Sequence, residues 1–214
     1  MPRSQALKVE IESSLGPGPS QRGNTVLRSV TDLFVDRAAE YSDEQVEVFD
    51  EVMQCLLDHS ERDARVELSG RLAPIPRAPA KVISTLLNDK DPAVSTPLLK
   101  QSPALSDADL NEIVKSGSAE QLMMVAKRTF INKVVCERLL ARGIPEITYA
   151  VLANEGAEIS EGDLVKLIGE CGNDPKLSPL VAGRKDLPEE MRPFLDAYMP
   201  KGKAQAPRLI KQGR

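Results

Sequence analysis

The single histidine is the first place to look for catalysis, because serine- and cysteine-type nucleophilic mechanisms need a histidine base. The 214-residue sequence holds one histidine, His59, and Cys55 lies four residues before it. On a helix this spacing places both side chains on one face. A histidine at a helix end, however, more often faces solvent and complements the helix dipole. We therefore expect no catalytic residues and no enzyme activity.

Metal and phosphate sites leave equally little signal in the sequence. It contains neither a Cys-x-x-Cys pair nor a His-Glu-x-x-His motif, which are the usual zinc-ligand patterns. Glu47, Asp50 and Glu51 could form an oxygen-ligand site, but such a run is more often a solvated acidic face. Gly16 and Gly18 lack the third glycine of a dinucleotide-binding loop. We therefore expect no metal and no cofactor.

One group of basic residues could bind an anion. Its members are Lys127, Arg128, Lys133, Arg138 and Arg142. Arg138 and Arg142 are four residues apart and so share a helix face, and a stacked pair of helices could align the group as a basic stripe. Such a stripe would suit an acidic or phosphorylated peptide, a nucleotide or a nucleic-acid backbone. Alternatively, these cations complement helix C-termini and pair with neighbours such as Glu137.

The elements that position these residues are predicted to be helices. Apolar residues recur every three or four positions, as in Val46, Phe49 and Met53, and aromatic residues make up 3% of the chain. This pattern favours buried helical stripes over sheets. Capping boxes at Ser42–Gln45 and Ser118–Gln121 mark helix starts. About twelve short helices are predicted, at roughly 4–15, 21–40, 43–58, 61–72, 78–88, 92–101, 107–116, 119–130, 133–142, 145–154, 161–171 and 175–199. The last span is expected to hold two helices.

Two sequence patterns recur along the chain. Residues Asp91–Leu98 resemble Asp174–Leu180, and Leu105–Leu110 resemble Ile159–Leu164. Short helical pairs that recur at irregular periods of roughly 30–45 residues are typical of HEAT-like α-solenoids. Each pair has too little apolar surface to be stable alone, so neighbours must stack into one core. The predicted fold class is therefore an all-α, HEAT-like helical-repeat array.

The chain divides into five predicted segments. They are a flexible or weakly helical segment (1–23), an N-terminal helical bundle continuous with the array (24–72), a proline-rich link (73–79), HEAT-like repeats (80–199) and a disordered basic tail (200–214). The link fits either a stiff joint or an ordinary interhelix turn. The tail carries five basic and no acidic residues, so its removal would change the formal charge from −4 to −9.

A set of short motifs carries a family resemblance. The motifs are Val30–Val35, Tyr41–Val46, Val48–Met53, Ala64–Leu72, Pro97–Leu99, Arg142-Gly143, Asn154 before Gly156-Ala157, and Arg184–Pro188. Together they resemble an uncharacterised bacterial family, domain of unknown function 2336, over roughly residues 20 to 195. The resemblance implies an all-helical, HEAT-like protein and brings no catalytic or ligand residue with it. The glycines and prolines between Gly16 and Gly23 look less helical than the family pattern.

Composition and charge favour a function in binding. No uncharged run approaches the ~18–20 residues of a membrane helix, so we expect no membrane association. Three cysteines far apart in the sequence suit the reducing bacterial cytoplasm. We expect a non-catalytic scaffold or adaptor in a regulatory setting, with a protein partner of unknown identity. The alternative is a nucleic-acid or nucleotide-binding module that uses the basic stripe, although the net negative charge argues against bulk nucleic-acid binding.

Overall fold

The structure is a computed structural model that describes residues 20–198, with side chains from Gly23 onward. The predicted helix 4–15 and the predicted tail 200–214 lie outside the described residues. Within them the chain forms twelve α-helices and one short 3-10 helix (Glu189–Met191). The α-helices are α1 (Ser20–Asp36), α2 (Asp43–Leu57), α3 (Arg62–Leu72), α4 (Ala80–Leu87), α5 (Pro92–Gln101), α6 (Asp107–Ser116), α7 (Ala119–Ala126), α8 (Lys133–Ala141), α9 (Pro145–Ala153), α10 (Glu161–Glu170), α11 (Leu177–Ala182) and α12 (Arg192–Asp196).

Serine hydroxyls set several helix starts, as the sequence predicts. Ser42 and Ser118 form reciprocal capping boxes with Gln45 and Gln121, and Ser106 forms a third box. In each box the hydroxyl accepts from a free backbone N–H of the first turn, while the partner side chain accepts from the cap residue's own N–H. Helix α1 begins at Ser20, inside the segment 1–23 that the sequence predicts to be flexible or weakly helical.

The helices pack in two rows. Each odd-numbered helix from α1 to α9 packs against the next odd-numbered one, so that α1, α3, α5, α7, α9 and α11 form one continuous row. In the second row α2 packs on α4 and α6 packs on α8. One buried apolar cluster runs through the stack from Leu27 to Leu195. The all-α array predicted from the sequence is confirmed. In such an array each unit is stabilised largely by its contacts with neighbours, which agrees with the continuous buried cluster.

The proline-rich link 73–79 lies inside this array. It joins α3 to α4, which pack against each other. Ala73 and Ala78 belong to the continuous core, with 0% and 9% of their surface exposed. These contacts are those of an interhelix turn.

Helices of this array are short. None of those among residues 20–198 combines the length and the apolar composition that a membrane crossing needs. In the same part of the chain the backbone pairs in strand fashion at one isolated bridge, where Ile131 and Ala157 run parallel. This bridge fixes the loop between α7 and α8 against the loop that follows α9.

Candidate functional site

The structure divides the predicted basic stripe, because some of its cations bond to the array itself. Arg128 follows α7 and folds back onto the C-terminal end of α5. Its Nη1 donates to the carbonyl oxygens of Leu99 at 2.8 Å and Leu98 at 3.5 Å, and its Nη2 donates to that of Ser102 at 2.8 Å. Burial lowers the pKa of this guanidinium. The positive charge thus lies against the negative end of a helix dipole.

Arg142 makes the same kind of contact one helix further along. It follows α8, and its Nη1 donates to the carbonyl oxygens of Val114 at 2.6 Å and Lys115 at 3.2 Å. Its Nη2 donates to the carbonyl oxygen of Gly117 at 3.4 Å. Val114 and Lys115 lie in the last turn of helix α6 and Gly117 directly follows it, where carbonyl oxygens lack intrahelical donors. The second interpretation of the basic group, complementation of helix C-termini, describes the contacts of both arginines.

Two further residues repeat the arrangement. Asn154 follows α9, and its Nδ2 donates to the carbonyl oxygens of Ala126 at 2.9 Å and Arg128 at 2.7 Å, at the end of α7. Arg184 follows α11, and its Nη2 donates to the carbonyl oxygen of Ala157 at 2.7 Å, just beyond the end of α9. We call Arg128, Arg142, Asn154 and Arg184 the layer clamps. Each lies just after one helix and caps the C-terminal end of the helix two positions earlier.

The other three cations of the predicted stripe lie on the surface, where Arg142 is exposed as well. Lys127, Lys133 and Arg138 are exposed. None of them forms an ion pair with a residue between 23 and 198, and so none pairs with Glu137, the partner predicted from the sequence. Lys133 and Arg138 are five residues apart on α8, which places them about 140° apart around the helix axis. The structure thus separates the five predicted residues by their contacts, since Arg128 and Arg142 donate to helix ends. Their role in anion binding stays a prediction.

The three cysteines are buried, and the histidine is exposed. Cys55 is 5% exposed, whereas His59 lies on the surface beyond the end of α2. Burial raises the pKa of the Cys136 thiol to about 12 and also raises the pKa of Cys171. Both thiols are therefore protonated at neutral pH, and a protonated thiol is a poor nucleophile.

One of the carboxylates considered as metal ligands, that of Asp50, caps a neighbouring helix. Asp50 is 4% exposed, and its carboxylate accepts from the backbone N–H of Lys81 at 3.0 Å and of Val82 at 2.8 Å. It thereby caps the N-terminus of α4 from the neighbouring helix α2. Glu47 is exposed. Among residues 23–198 no three His, Cys, Asp or Glu side chains converge in a way that could hold a metal ion.

One groove combines an exposed aromatic ring with a rigid backbone. The groove has a volume of about 500 Å³, and we call it the Phe130 groove. The N–H of Ile131 donates to Gly156 at 3.0 Å and the N–H of Glu158 donates to Ile131 at 2.9 Å, so the loop that carries Phe130 is held firmly. A Cβ on Gly156 would lie 1.8 Å from the carbonyl oxygen of Thr129. The Phe130 ring itself is 59% exposed. The apolar groups beside it are Ala153, Pro179 and Leu180.

A second groove lies at the opposite ends of α9 and α11. It has a volume of about 630 Å³, and we call it the acidic groove. Its carboxylates are Glu137, Asp163, Glu170 and Asp174, and its leucines are Leu140, Leu167 and Leu177. The Tyr149 hydroxyl donates to Asp174; this bond raises the pKa of Tyr149 to about 12. The same bond, together with the Lys176 backbone N–H, lowers the pKa of Asp174. Asp174 is therefore ionised at neutral pH.

The match to a protein family covers one part of the chain. The model of a family described as "Uncharacterised protein conserved in bacteria (DUF2336)" matches residues 94–197. Residues 94–197 belong to this family. The matched segment runs from α5 to the end of α12 and contains both grooves and the layer clamps. The motifs before residue 94 that contribute to the resemblance lie outside the match. The comparison with curated proteins found no match, and neither did the comparison with solved structures.

The motifs of the resemblance within the matched segment coincide with the layer clamps. Arg142, Asn154 and Arg184 are clamp donors, while Leu98 and Leu99 in the first of these motifs accept from Arg128. The sequence patterns do not predict this role. The available signal was positional, since each clamp lies one or two residues beyond the last residue of its helix.

Proposed function

We propose that this protein is a HEAT-like helical-repeat scaffold or adaptor of the bacterial cytoplasm that binds a protein partner and performs no chemistry itself. The partner inserts an apolar side chain into the Phe130 groove. Binding at this groove serves a regulatory assembly, in which the array holds the partner in a fixed position.

The exposure and the rigidity of Phe130 carry this proposal. The Phe130 ring is 59% exposed, so a partner that covers it would stabilise the complex by removing apolar surface from water. Aromatic residues often contribute a large share of the binding free energy of an interface. The loop is already ordered by the Ile131 and Glu158 hydrogen bonds, so little conformational entropy is lost on binding. Around the ring lie Glu155 and Lys185, whose exposed ion pair at 3.1 Å provides a polar rim.

A photo-crosslinking comparison tests the proposal. A benzophenone amino acid replaces Phe130 in one variant and Phe194 in the control; the Phe194 ring on α12 is similarly exposed, at 66%. In the native cell, position 130 should yield a discrete protein adduct that position 194 does not yield. The substitution Leu180→Lys should abolish that adduct by placing a charge in the groove. Equal adducts from both positions, or none from position 130, would contradict the proposal.

Nucleic-acid or nucleotide binding is the second candidate. Its support is the exposure of Lys127, Lys133 and Arg138, which lack ion pairs within the described part of the chain. A shift assay at ~50 mM salt decides between the candidates, because nonspecific binding to nucleic acid is strongest at low salt. A shift that disappears in the triple Gln variant of these residues would favour the second candidate over the adaptor.

A further inference from the structure

We propose that the basic segment 199–214 of this chain docks in the acidic groove. This inference is separate from partner binding, because the Phe130 groove lies at the other ends of α9 and α11. The occupant is identified by the chemistry of the groove, by the place where the described chain ends, and by the sequence that follows.

The groove pairs an apolar floor with an acidic rim. Its three leucines come from α8, α10 and α11. On the rim, Glu137 and Glu170 are exposed and have no ion pair within residues 23–198. Such a surface suits a segment that offers both aliphatic and cationic side chains.

The charge of the groove is negative overall. Lys166 pairs with Asp163 at 3.0 Å and offsets one of the four carboxylates, which leaves a formal charge of −3 on the lining. Lys176 lies at the edge, with its Nζ 5.7 Å from the centre of the Tyr149 ring. When this cation is included, the charge around the groove is −2. Asp174 contributes to it at neutral pH because the Tyr149 hydroxyl and the Lys176 N–H lower its pKa.

The described chain ends beside this groove. The ring of Tyr198, the last described residue, lies against Gly172, where an added Cβ would be 3.2 Å from the ring. Gly172 directly precedes Asn173 and Asp174, which line the groove. Helix α12 also packs on α11, which contributes Leu177 to the floor. The following segment therefore starts within a few residues of the surface that we assign to it.

The following sequence has the matching chemistry. Residues 199–214 carry five basic and no acidic side chains. Leu209 and Ile210 lie between Arg208 and Lys211, so that an apolar pair is flanked by cations. We assign the apolar pair to the leucine floor and the cations to the rim carboxylates. Sixteen residues can extend about 50 Å, and attachment to the same chain gives the segment an effective concentration in the millimolar range.

The test uses paramagnetic relaxation in the full chain. A nitroxide is attached to Ala206→Cys, and the amide signals of both grooves are followed by NMR. Docking predicts selective signal loss at Ala141 and Lys166 in the acidic groove, whereas Ala153 and Glu155 in the Phe130 groove keep their intensity. The effect should disappear at ~1 M salt, where exposed charges are screened beyond about 3 Å.

A pair of matched double variants separates docking from random proximity. Glu137→Gln with Glu170→Gln should lower the docked-to-free ratio about two- to fivefold at low salt, since each exposed ion pair contributes little alone. Glu155→Gln with Glu158→Gln, which removes the same charge from the Phe130 groove, should leave that ratio unchanged. Circular dichroism verifies that both variants are folded.

Three results would overturn the proposal. The first is equal signal loss in both grooves. The second is signal loss that is undiminished in the Glu137→Gln, Glu170→Gln variant and at ~1 M salt. The third is signal loss that occurs only between chains when nitroxide-labelled and isotope-labelled chains are mixed. The crosslink from position 130 does not depend on any of these results. The two proposals can therefore fail separately.

Discussion

The substitution Arg184→Ala removes the most buried layer clamp. Its Nη1 donates to the carbonyl oxygens of Leu152 at 3.2 Å and Asn154 at 3.1 Å, and its Nη2 donates to that of Ala157 at 2.7 Å. Arg184 also forms a bidentate ion pair with Asp186, in which Nε donates to Oδ1 at 2.8 Å and Nη2 donates to Oδ2 at 2.7 Å. The Arg184 side chain is 5% exposed and that of Asp186 is 46% exposed.

The expected cost follows from these contacts. Removal of one partner from a buried ion pair destabilises a protein by about 3–5 kcal/mol. Because Asp186 is half in water and can be rehydrated, we expect a value near the lower end, about 3 kcal/mol. For a chain of this size, each kcal/mol lowers the melting temperature by about 2–4 °C. Arg184→Ala should therefore melt roughly 6–12 °C below the parent.

The assay is thermal and urea unfolding followed by circular dichroism. Lys185→Ala is the matched control, since Lys185 is adjacent and pairs with Glu155 on the surface, where both side chains are more than 80% exposed. Such a pair contributes about 0–1 kcal/mol, so the control should melt close to the parent. If Arg184→Ala and Lys185→Ala had equal unfolding free energies, the stabilising role of the layer clamps would be refuted.

Other substitutions test separate parts of the structure by urea unfolding. Arg128→Met should cost about 2 kcal/mol because three carbonyl oxygens lose their donor, whereas the neighbouring Lys127→Met should change stability by less than about 0.5 kcal/mol. Gly156→Ala should cost about 2–3 kcal/mol because the new Cβ meets backbone, and Gly169→Ala, where a Cβ meets nothing within 4 Å, should stabilise by about 0.5–1 kcal/mol. Burial raises the pKa of Cys136 to about 12 in the folded chain, so the thiol of the unfolded chain loses its proton at lower pH than that of the folded chain. The free energy of unfolding should therefore fall as the pH rises from 9 toward 12. Cys136→Ala should reduce the slope of this free energy against pH by up to about 1.4 kcal/mol per pH unit. Equal effects within either pair, or an unchanged slope, would contradict these expectations.

The helices could be predicted because their signals are local. The sequence predicts helices at 92–101 and 107–116, and the structure places α5 and α6 at these bounds. In both cases a side chain that caps the first turn precedes the helix, namely Asp91 and Ser106. The prediction fails where such a signal is weak. The helix predicted at 21–40 ends at Asp36, because residues 37–40 form turns rather than a further turn of α-helix.

The contacts between layers could not be predicted from local patterns. The sequence identifies Arg128 and Arg142 as basic residues near helix ends, but their acceptors lie 25 to 30 residues earlier in the chain. Which helix end they reach depends on how the rows stack. The grooves depend on the same stacking, because each combines side chains from several helices. The basic group predicted from charge therefore combines arginines that donate to helix ends with lysines that lie on the surface.

Native-state hydrogen exchange of the full chain and of Arg184→Ala tests the stacked array most directly. In a linear array each unit depends mainly on its neighbours, and local opening appears in the exchange rates of the affected segment. A stacked array should show faster exchange in α11 and α12, a smaller increase in α9, and unchanged exchange in α1 to α5. An equal increase throughout all the helices would contradict it, since that result would indicate one globule that unfolds as a whole.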